Sequence, residues 1–395
     1  MSLKGKHILI IVENLPLPFD RRVWQEANTL TDAGAKVSVI CPQMKGFTKK
    51  FETINGIDIY RHPLPVEGSG AWGYLVEYST ALFWEFWLSW KIYFKKRFQV
   101  IQGCNPPDLI FIPALLFKLF GVKYVFDHHD INPELYIAKY GKKGFFYKFL
   151  LTVERLTFRT ANFSIATNES YKRIAVERGK MPEDRVRIVR SGPKLDRLTL
   201  GPGDEKYKKG RRFLIGYIGV IGEQEGIDLL LESAKYITDN RNDVQFAIVG
   251  GGTQLEALKK MAGDMNIEEY VDFYGRVDDK TMVDVLNTAD VCVNPDKPTE
   301  MNDLSTMNKI MEYMALKKPI VQYDLKEGRY SAREAALYAT NTDTTDFAHK
   351  ILWLLDHEEE RKSMGNYGYN RVINELSWEY ESKKLIDFYE KVFAS

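Results

Sequence analysis

Short apolar runs alternate along this chain with longer stretches in which apolar positions recur every three or four residues. Alternation of that kind marks βαβ units and parallel sheets, and here it occurs twice. In the first half it predicts strands at 7–12, 36–41, 99–102, 122–126, 163–167 and 186–190, with helices at 20–33, 73–97, 108–120, 145–160 and 168–178. Gly34 and Gly121 follow two of these helices, where a left-handed residue commonly ends a helix. The polar, charged stretch from Gly201 to Arg212 reads as a linker, and Phe213-Leu214-Ile215-Gly216-Tyr217-Ile218 starts the second series. Further strands are predicted at 244–249, 271–275, 290–294 and 319–322, and an amphipathic helix near 378–393 ends the chain. The expected fold class is α/β, with two Rossmann-like doubly wound domains at 1–200 and 211–375. Residues 376–395 are expected to pack back on the first. Domains that face each other would bring both sets of strand C-terminal ends to one central cleft, where open α/β sheets bind ligands.

Composition narrows the class. The sequence is 395 residues long, 45% hydrophobic and 13% aromatic, which excludes a disordered or fibrous chain. Its net charge of +1 conceals an asymmetry: residues 1–195 carry 29 basic and 18 acidic side chains, and the remainder 26 and 36. A basic half therefore precedes an acidic one, which excludes a uniformly basic nucleic-acid binder. Three widely spaced cysteines without metal-ligand spacing point to a reducing compartment and to no metal. The first apolar run, 7–12, is too short for a secretory leader and reads as a strand.

Four constellations could carry chemistry. The first is the turn after strand 213–218, with Gly219, Gly222 and Gly226 before a helix, joined by Gly250-Gly251-Gly252 after strand 244–249. Glycines at such a turn either admit a phosphate to backbone N–H groups or simply allow tight strand–helix packing. The second runs from Asn302 to Ala315 and reads as a polar loop and a helix capped by Ser305 or Thr306, with Glu312 two turns in. Asn308, Lys309 and Glu312 then share a face, as a diphosphate and ribose site or as a solvated ion pair. The third is Phe126-Asp127-His128-His129-Asp130 at a strand end. Neighbouring histidines on extended chain point to opposite sides, so metal ligation by both is disfavoured; a core histidine and a hydroxyl-binding one remain as readings. The fourth is the stiff loop Glu13 to Arg22, whose arginines open a helix beside an anion or pair with Asp20 or Glu26.

These segments, together with Cys104-Asn105-Pro106-Pro107-Asp108, Ala166-Thr167-Asn168-Glu169-Ser170 and Arg190-Ser191-Gly192-Pro193, resemble the retaining nucleotide-sugar glycosyltransferases of family 4, with a GT-B fold. Within that family the chain looks most like the bacterial exopolysaccharide and surface-glycan branch. The resemblance implies transfer of a sugar from a nucleoside diphosphate donor, uridine-linked, to a glycan or lipid-linked acceptor, with no obligate cofactor or metal. It places His129 and Lys309 in catalysis, and Gly219, Gly222, Arg190, Gly251, Arg276, Val277, Ser305, Thr306, Met307, Asn308 and Glu312 at the donor. Arg21, Arg22, Asn105 and Asp130 are expected at the acceptor. Three positions depart from the family pattern: Leu304 stands where the first of two paired glutamates belongs, and Val220 and Glu225 stand where basic residues usually meet the diphosphate. Such losses leave open a non-catalytic partner subunit; a sugar-nucleotide epimerase would need an acid–base carboxylate system the sequence does not offer.

Residues 71–97 hold Trp72, Trp84, Trp87 and Trp90, four of the seven tryptophans, followed by Lys95-Lys96-Arg97. On a helix, Phe83, Trp87, Trp90 and Phe94 form one stripe, while Glu77, Glu85 and Lys91 prevent a membrane span. The segment is either a core-packing helix or one that lies on an anionic membrane surface, in line with a protein at the cytoplasmic membrane face.

Overall fold

The computed structural model describes residues 2–44, 46–64, 70–106 and 108–395, with the side chains of 70–75, 77 and 78 outside the description. Pro107 and the side chains of Trp72 and Glu77 therefore lie outside the described residues. The chain divides into two compact units, Met1–Ser191 with Glu381–Ser395, and Gly192–Tyr380.

The first unit is built on strands β1 (His7–Val12), β2 (Lys36–Pro42), β3 (Phe51–Ile54), β4 (Ile57–His62), β5 (Val100–Cys104), β6 (Lys123–His128), β7 (Phe163–Ala166) and β8 (Val186–Ile188). Their order is β3-β4-β2-β1-β5-β6-β7-β8, and only the β3–β4 pairing is antiparallel. All six positions of β1 are buried, as expected of a parallel strand covered on both faces. The β3–β4 hairpin was not among the expected strands. Asn55 and Gly56, at φ 51° and 78°, make its two-residue turn, and an Asn-Gly pair between apolar alternations is the local signal for one. The helix Asn132–Tyr140 was also not expected; Pro133 opens its first turn. The helix expected over 168–178 is α-helical at Glu169–Arg173 and π-helical at Ile174–Arg178.

In the second unit, β9 (Phe213–Ile218), β10 (Val244–Val249), β11 (Val271–Gly275), β12 (Val291–Asn294), β13 (Ile320–Tyr323) and β14 (Ala336–Ala339) form an all-parallel sheet in the order β11-β10-β9-β12-β13-β14. Strand β14, four residues at the sheet edge, carries too little pattern to be expected. Successive residues of β9 point to opposite faces: Ile215 and Tyr217 join one core layer with Phe246 and Phe347, Leu214 and Ile218 the other with Met311 and Met314. Strand order reverses beside β1 and beside β9, so each unit has a switch point where ligands of such sheets bind.

The capping expectation for the helix around Ser305 is corrected. Thr299 caps a short helix, Glu300–Leu304, by accepting the Asn302 N–H, and Ser305 ends it with its Oγ donating to the Met301 carbonyl at 2.7 Å. A second helix, Asn308–Ala315, begins after Met307 with no side-chain cap, so Glu312 lies one turn into it rather than two.

Candidate functional site

In the first unit the polar end of β6 meets the start of the helix Arg21–Asp32. Asp20 caps that helix by accepting the Val23 N–H at 3.0 Å, which turns Arg22 inward while Arg21 stays exposed. The Arg22 guanidinium donates to Asp127 Oδ1 at 2.9 Å, to the Val189 carbonyl and Ser191 Oγ at 3.0 Å, and lies 3.0 Å from Glu26. Its Nε lies 2.9 Å from His129 Nε2, which is itself 2.7 Å from Asp127 Oδ2. That imidazole nitrogen can accept from Arg22 or donate to Asp127, but not both at once.

Charge in this cluster is held by position. Burial alone would raise the Asp127 carboxyl, but Arg22 and His129 hold it well below the ordinary range. Burial, then the facing Asp127, push Glu26 up to about 8. Gln102 Nε2 bridges the two carboxyls at 2.6 Å from Glu26 and 2.9 Å from Asp127, and its carbonyl accepts from the Tyr389 hydroxyl. Burial would lower His129, and the adjacent Asp127 reverses that and raises it. His128 faces the other way, stacked on Phe126 and against Tyr171, and burial lowers it to about 3, so it is the neutral core histidine of the pair.

Asn105 is buried. Its Oδ1 accepts the backbone N–H groups of His129 at 2.6 Å and Asp130 at 3.2 Å, and its amide donates to Asp108 and the Asp130 carbonyl. It fixes the loop that presents His129. Arg190 is also buried in this unit, with its backbone N–H donating to Glu381 at 3.0 Å.

Cys104, Asp127 and His129 place ligand atoms within 4.8 Å of one another. A cation does not fit among them, because the Arg22 guanidinium already stands against two of the three and burial raises the Cys104 thiol well above its usual range.

In the second unit three turns at the strand C-terminal ends press backbone to backbone. Gly219 N–H donates to Val249 O, Ile221 N–H to Gly251 O and Gly250 N–H to Gly275 O, at 3.1, 3.1 and 2.9 Å. A Cβ on Gly250 would stand 1.8 Å from the Gly219 carbonyl, and one on Gly252 2.1 Å from that of Ile221, so these two glycines serve close packing. Over Gly251 lies the side chain of the exposed Arg276, followed by the half-buried Val277. The Gly222 N–H is taken by Glu225 Oε2 at 3.1 Å. Burial, with help from Asp296, raises the Glu225 carboxyl.

Beneath that turn Lys309 Nζ lies 2.7 Å from Asp296 Oδ1 and over the Tyr217 ring, 4.9 Å from its centroid. Burial alone would lower the ammonium, but Asp296 raises it, so Lys309 stays charged. Glu312, on the same helix, is paired with Arg197, which also reaches Asp279 at 3.1 Å. Ser305, Thr306 and Met307 are half-buried and Asn308 is exposed at the helix start.

Two α/β units, each with its polar cluster at a switch point of a parallel sheet, define a protein of the GT-B type. Residues 212–357 match the model described as glycosyl transferases group 1, and residues 20–192 the glycosyl transferase 4-like domain. The chain belongs to these group 1, GT4-like glycosyltransferases. It is 24% identical over 162 residues to an alpha-D-kanosaminyltransferase of Streptomyces kanamyceticus, covering 40% of this chain and 41% of that one. It is likewise 24% identical to the capsular polysaccharide biosynthesis glycosyltransferase CapM of Staphylococcus aureus, covering 62% and 66%. The chain spans about half the length of the curated relatives it matches. Among solved structures, a sucrose-phosphate synthase from Thermosynechococcus elongatus superposes with a TM-score of 0.82 at 16% identity, covering 98% of this chain and 99% of that one. Anabaena HepE in complex with UDP and glucose superposes at 0.74 and 12% identity, covering 99% and 100%.

Proposed function

We propose that this protein transfers a sugar, with retention of anomeric configuration, from a uridine diphosphate sugar to a glycan or lipid-linked acceptor in surface polysaccharide synthesis. The observation that carries the reading is the glycine-lined turn of the second unit with the charged Lys309 beneath it, a cation at the sheet end where a diphosphate would be held. CapM, a capsular polysaccharide enzyme by name, and HepE, seen with UDP and glucose, support the acceptor and donor classes. Glu312 would hold the ribose, with Arg197 fixing its carboxylate. His129, oriented by Asp127 and Asn105, would hydrogen-bond the sugar. The reaction would need no resident metal, since the leaving diphosphate would be met by Lys309 and by backbone N–H groups at the uncapped start of the helix Asn308–Ala315. Donor-dependent release of nucleoside diphosphate, screened over uridine and guanosine sugars, tests this; release from no donor in the presence of glycan acceptors overturns it. One observation favours a second reading, a binding subunit without turnover: Glu225 already occupies the Gly222 N–H. Binding of a nucleotide sugar without release of product would select it.

Membrane attachment belongs to the same proposal. Among the described residues no helix is long and apolar enough to cross a membrane. The stripe expected on 71–97 is split: Trp90 packs onto Phe117 and Phe120, leaving Phe83, Trp87 and Phe94 exposed. The helix Gly70–Lys95 packs beside Phe111–Lys118, and that beside Phe145–Thr160, where Leu119 is 81% and Phe145 78% exposed. Lys95, Lys142, Lys143 and Lys148 flank these side chains in sequence, whereas Lys96 is paired with Asp58 at 2.5 Å. Exposed apolar side chains with lysines beside them in sequence suit an anionic bilayer surface. Flotation with vesicles that contain phosphatidylglycerol should carry the protein, and Phe94→Ser with Leu119→Ser should abolish it; no flotation at low salt sinks the idea.

A further inference from the structure

At the other end of the first sheet lies a cavity of about 750 Å³ that the proposed reaction does not use. Its lining joins the last turns of the helix Phe145–Thr160, the end of the π-helical segment Ile174–Arg178 and the residues just before β8. Ala161 precedes β7 and Arg185 precedes β8, whereas Asp127 and His129 end β6. Because β6, β7 and β8 run parallel, the cavity lies at the strand N-terminal ends, away from His129.

Its wall is strongly basic. Arg155, Arg159, Arg178, Lys180 and Arg185 line it against one acid, Glu177. Arg178 is spent on neighbours outside the cavity, with Nε and Nη2 at 2.7 and 2.6 Å from the Glu154 carboxylate and a further pair to Glu134. The other four cations face the cavity without a carboxylate partner among the described residues. The negative end of a helix accounts for Arg159, in the last turn of Phe145–Thr160, but not for Lys180 and Arg185, which come from separate elements. Gly179 lets the chain pass close under Phe158, since a Cβ would stand 2.6 Å from its ring, and the turn itself falls on the next residue, Lys180, at φ 57°.

Four unpaired cations converging from three segments on an open cavity are a site for an anion of more than one charge, and guanidinium forks match phosphate oxygens. We propose that this pocket binds a phosphorylated ligand, a diphosphate or phosphomonoester carried on a soluble molecule or on a lipid headgroup, independently of the donor and acceptor residues. The probe is inorganic pyrophosphate, titrated calorimetrically into the intact chain at low and at physiological ionic strength. Expected is binding that weakens at least tenfold, about 1.4 kcal/mol, in Arg155→Ala/Arg159→Ala and in Arg185→Ala. All three side chains are exposed, so folding should survive; circular dichroism checks it, and Lys180→Ala repeats the reading from another segment. Flotation with phosphatidylglycerol vesicles then separates the sources: a parallel loss in the double variant assigns a lipid headgroup, and unchanged flotation a soluble ligand. No pyrophosphate binding by the wild-type chain, or equal binding by all the variants, overturns the proposal.

Discussion

Lys309 Nζ and Asp296 Oδ1 stand 2.7 Å apart, both side chains buried, so the cation beneath the glycine turn is already half-neutralised within the protein. An incoming diphosphate must share Lys309 with Asp296 rather than find it bare. Removing one partner of a buried pair costs about 3–5 kcal/mol, because the remaining charge is left uncompensated. Lys309→Met should therefore lower the urea midpoint as well as donor affinity, and Lys309→Met/Asp296→Leu should regain most of the stability but not the affinity. Equal midpoints for the single variant and the wild type would show that the pair does not hold this loop.

Glu225 gives donor binding a pH dependence. Its carboxylate accepts from Gly222 N–H, and burial raises its pKa, so protonation as pH falls removes a negative charge from the path of the diphosphate. Nucleotide-sugar affinity should therefore rise as the pH falls through the raised Glu225 pKa. Glu225→Gln retains an acceptor for the Gly222 N–H while losing the charge. It should bind the donor about tenfold more tightly at pH 8, a repulsion of order 1 kcal/mol removed, and flatten the profile. An unchanged slope in the variant would place the titrating group elsewhere.

How far the sequence foretold this arrangement depends on which residues carry a local signal. The central strands and the glycine turns were legible because burial on both faces makes β1 and β9 continuously apolar and ends β9 at a glycine. Lys309 and Glu312 were legible as neighbours on one helix, but their partners were not: Asp296 comes from a loop and Arg197 from the short 3-10 turn Leu195–Arg197, and their approach depends on the folded sheet. Glu26 and Gln102 left a fainter mark. Each is a polar interruption of an apolar pattern, Glu26 among Val23, Ala27 and Leu30, and Gln102 within β5, and a buried polar group of that kind needs a partner. Tyr389 reaches Gln102 across 287 positions, a pairing no local pattern announces.

Arg22 divides its donors among Asp127, Val189 and Ser191, with its Nε against His129, a spread that suits a planar guanidinium and not a single ammonium. Arg22→Lys keeps the charge and should still cost about 2 kcal/mol, the value of charged hydrogen bonds lost at the Val189 carbonyl and Ser191. Urea unfolding measures this. A variant as stable as wild type would mean that those contacts contribute nothing beyond charge.

The Glu26 carboxyl makes stability fall with rising pH in a defined window. Its native pKa, pushed up to about 8 by burial and by Asp127, exceeds the ordinary value of 4.5, so the folded chain holds a proton that the unfolded chain releases between those limits. The stabilisation is fully present below about 4.5 and is lost as pH rises through 8, at a slope of up to about 1.4 kcal/mol per pH unit from this one group. Glu26→Gln presents an amide that can donate to Asp127 as the protonated acid does, and it has no proton to lose. The difference in unfolding free energy between variant and wild type should therefore grow in the variant's favour from pH 5 to pH 8. A constant difference across that range would show that Glu26 titrates as an ordinary carboxylate and that the Arg22–Asp127 pair alone sets the charge beneath His129.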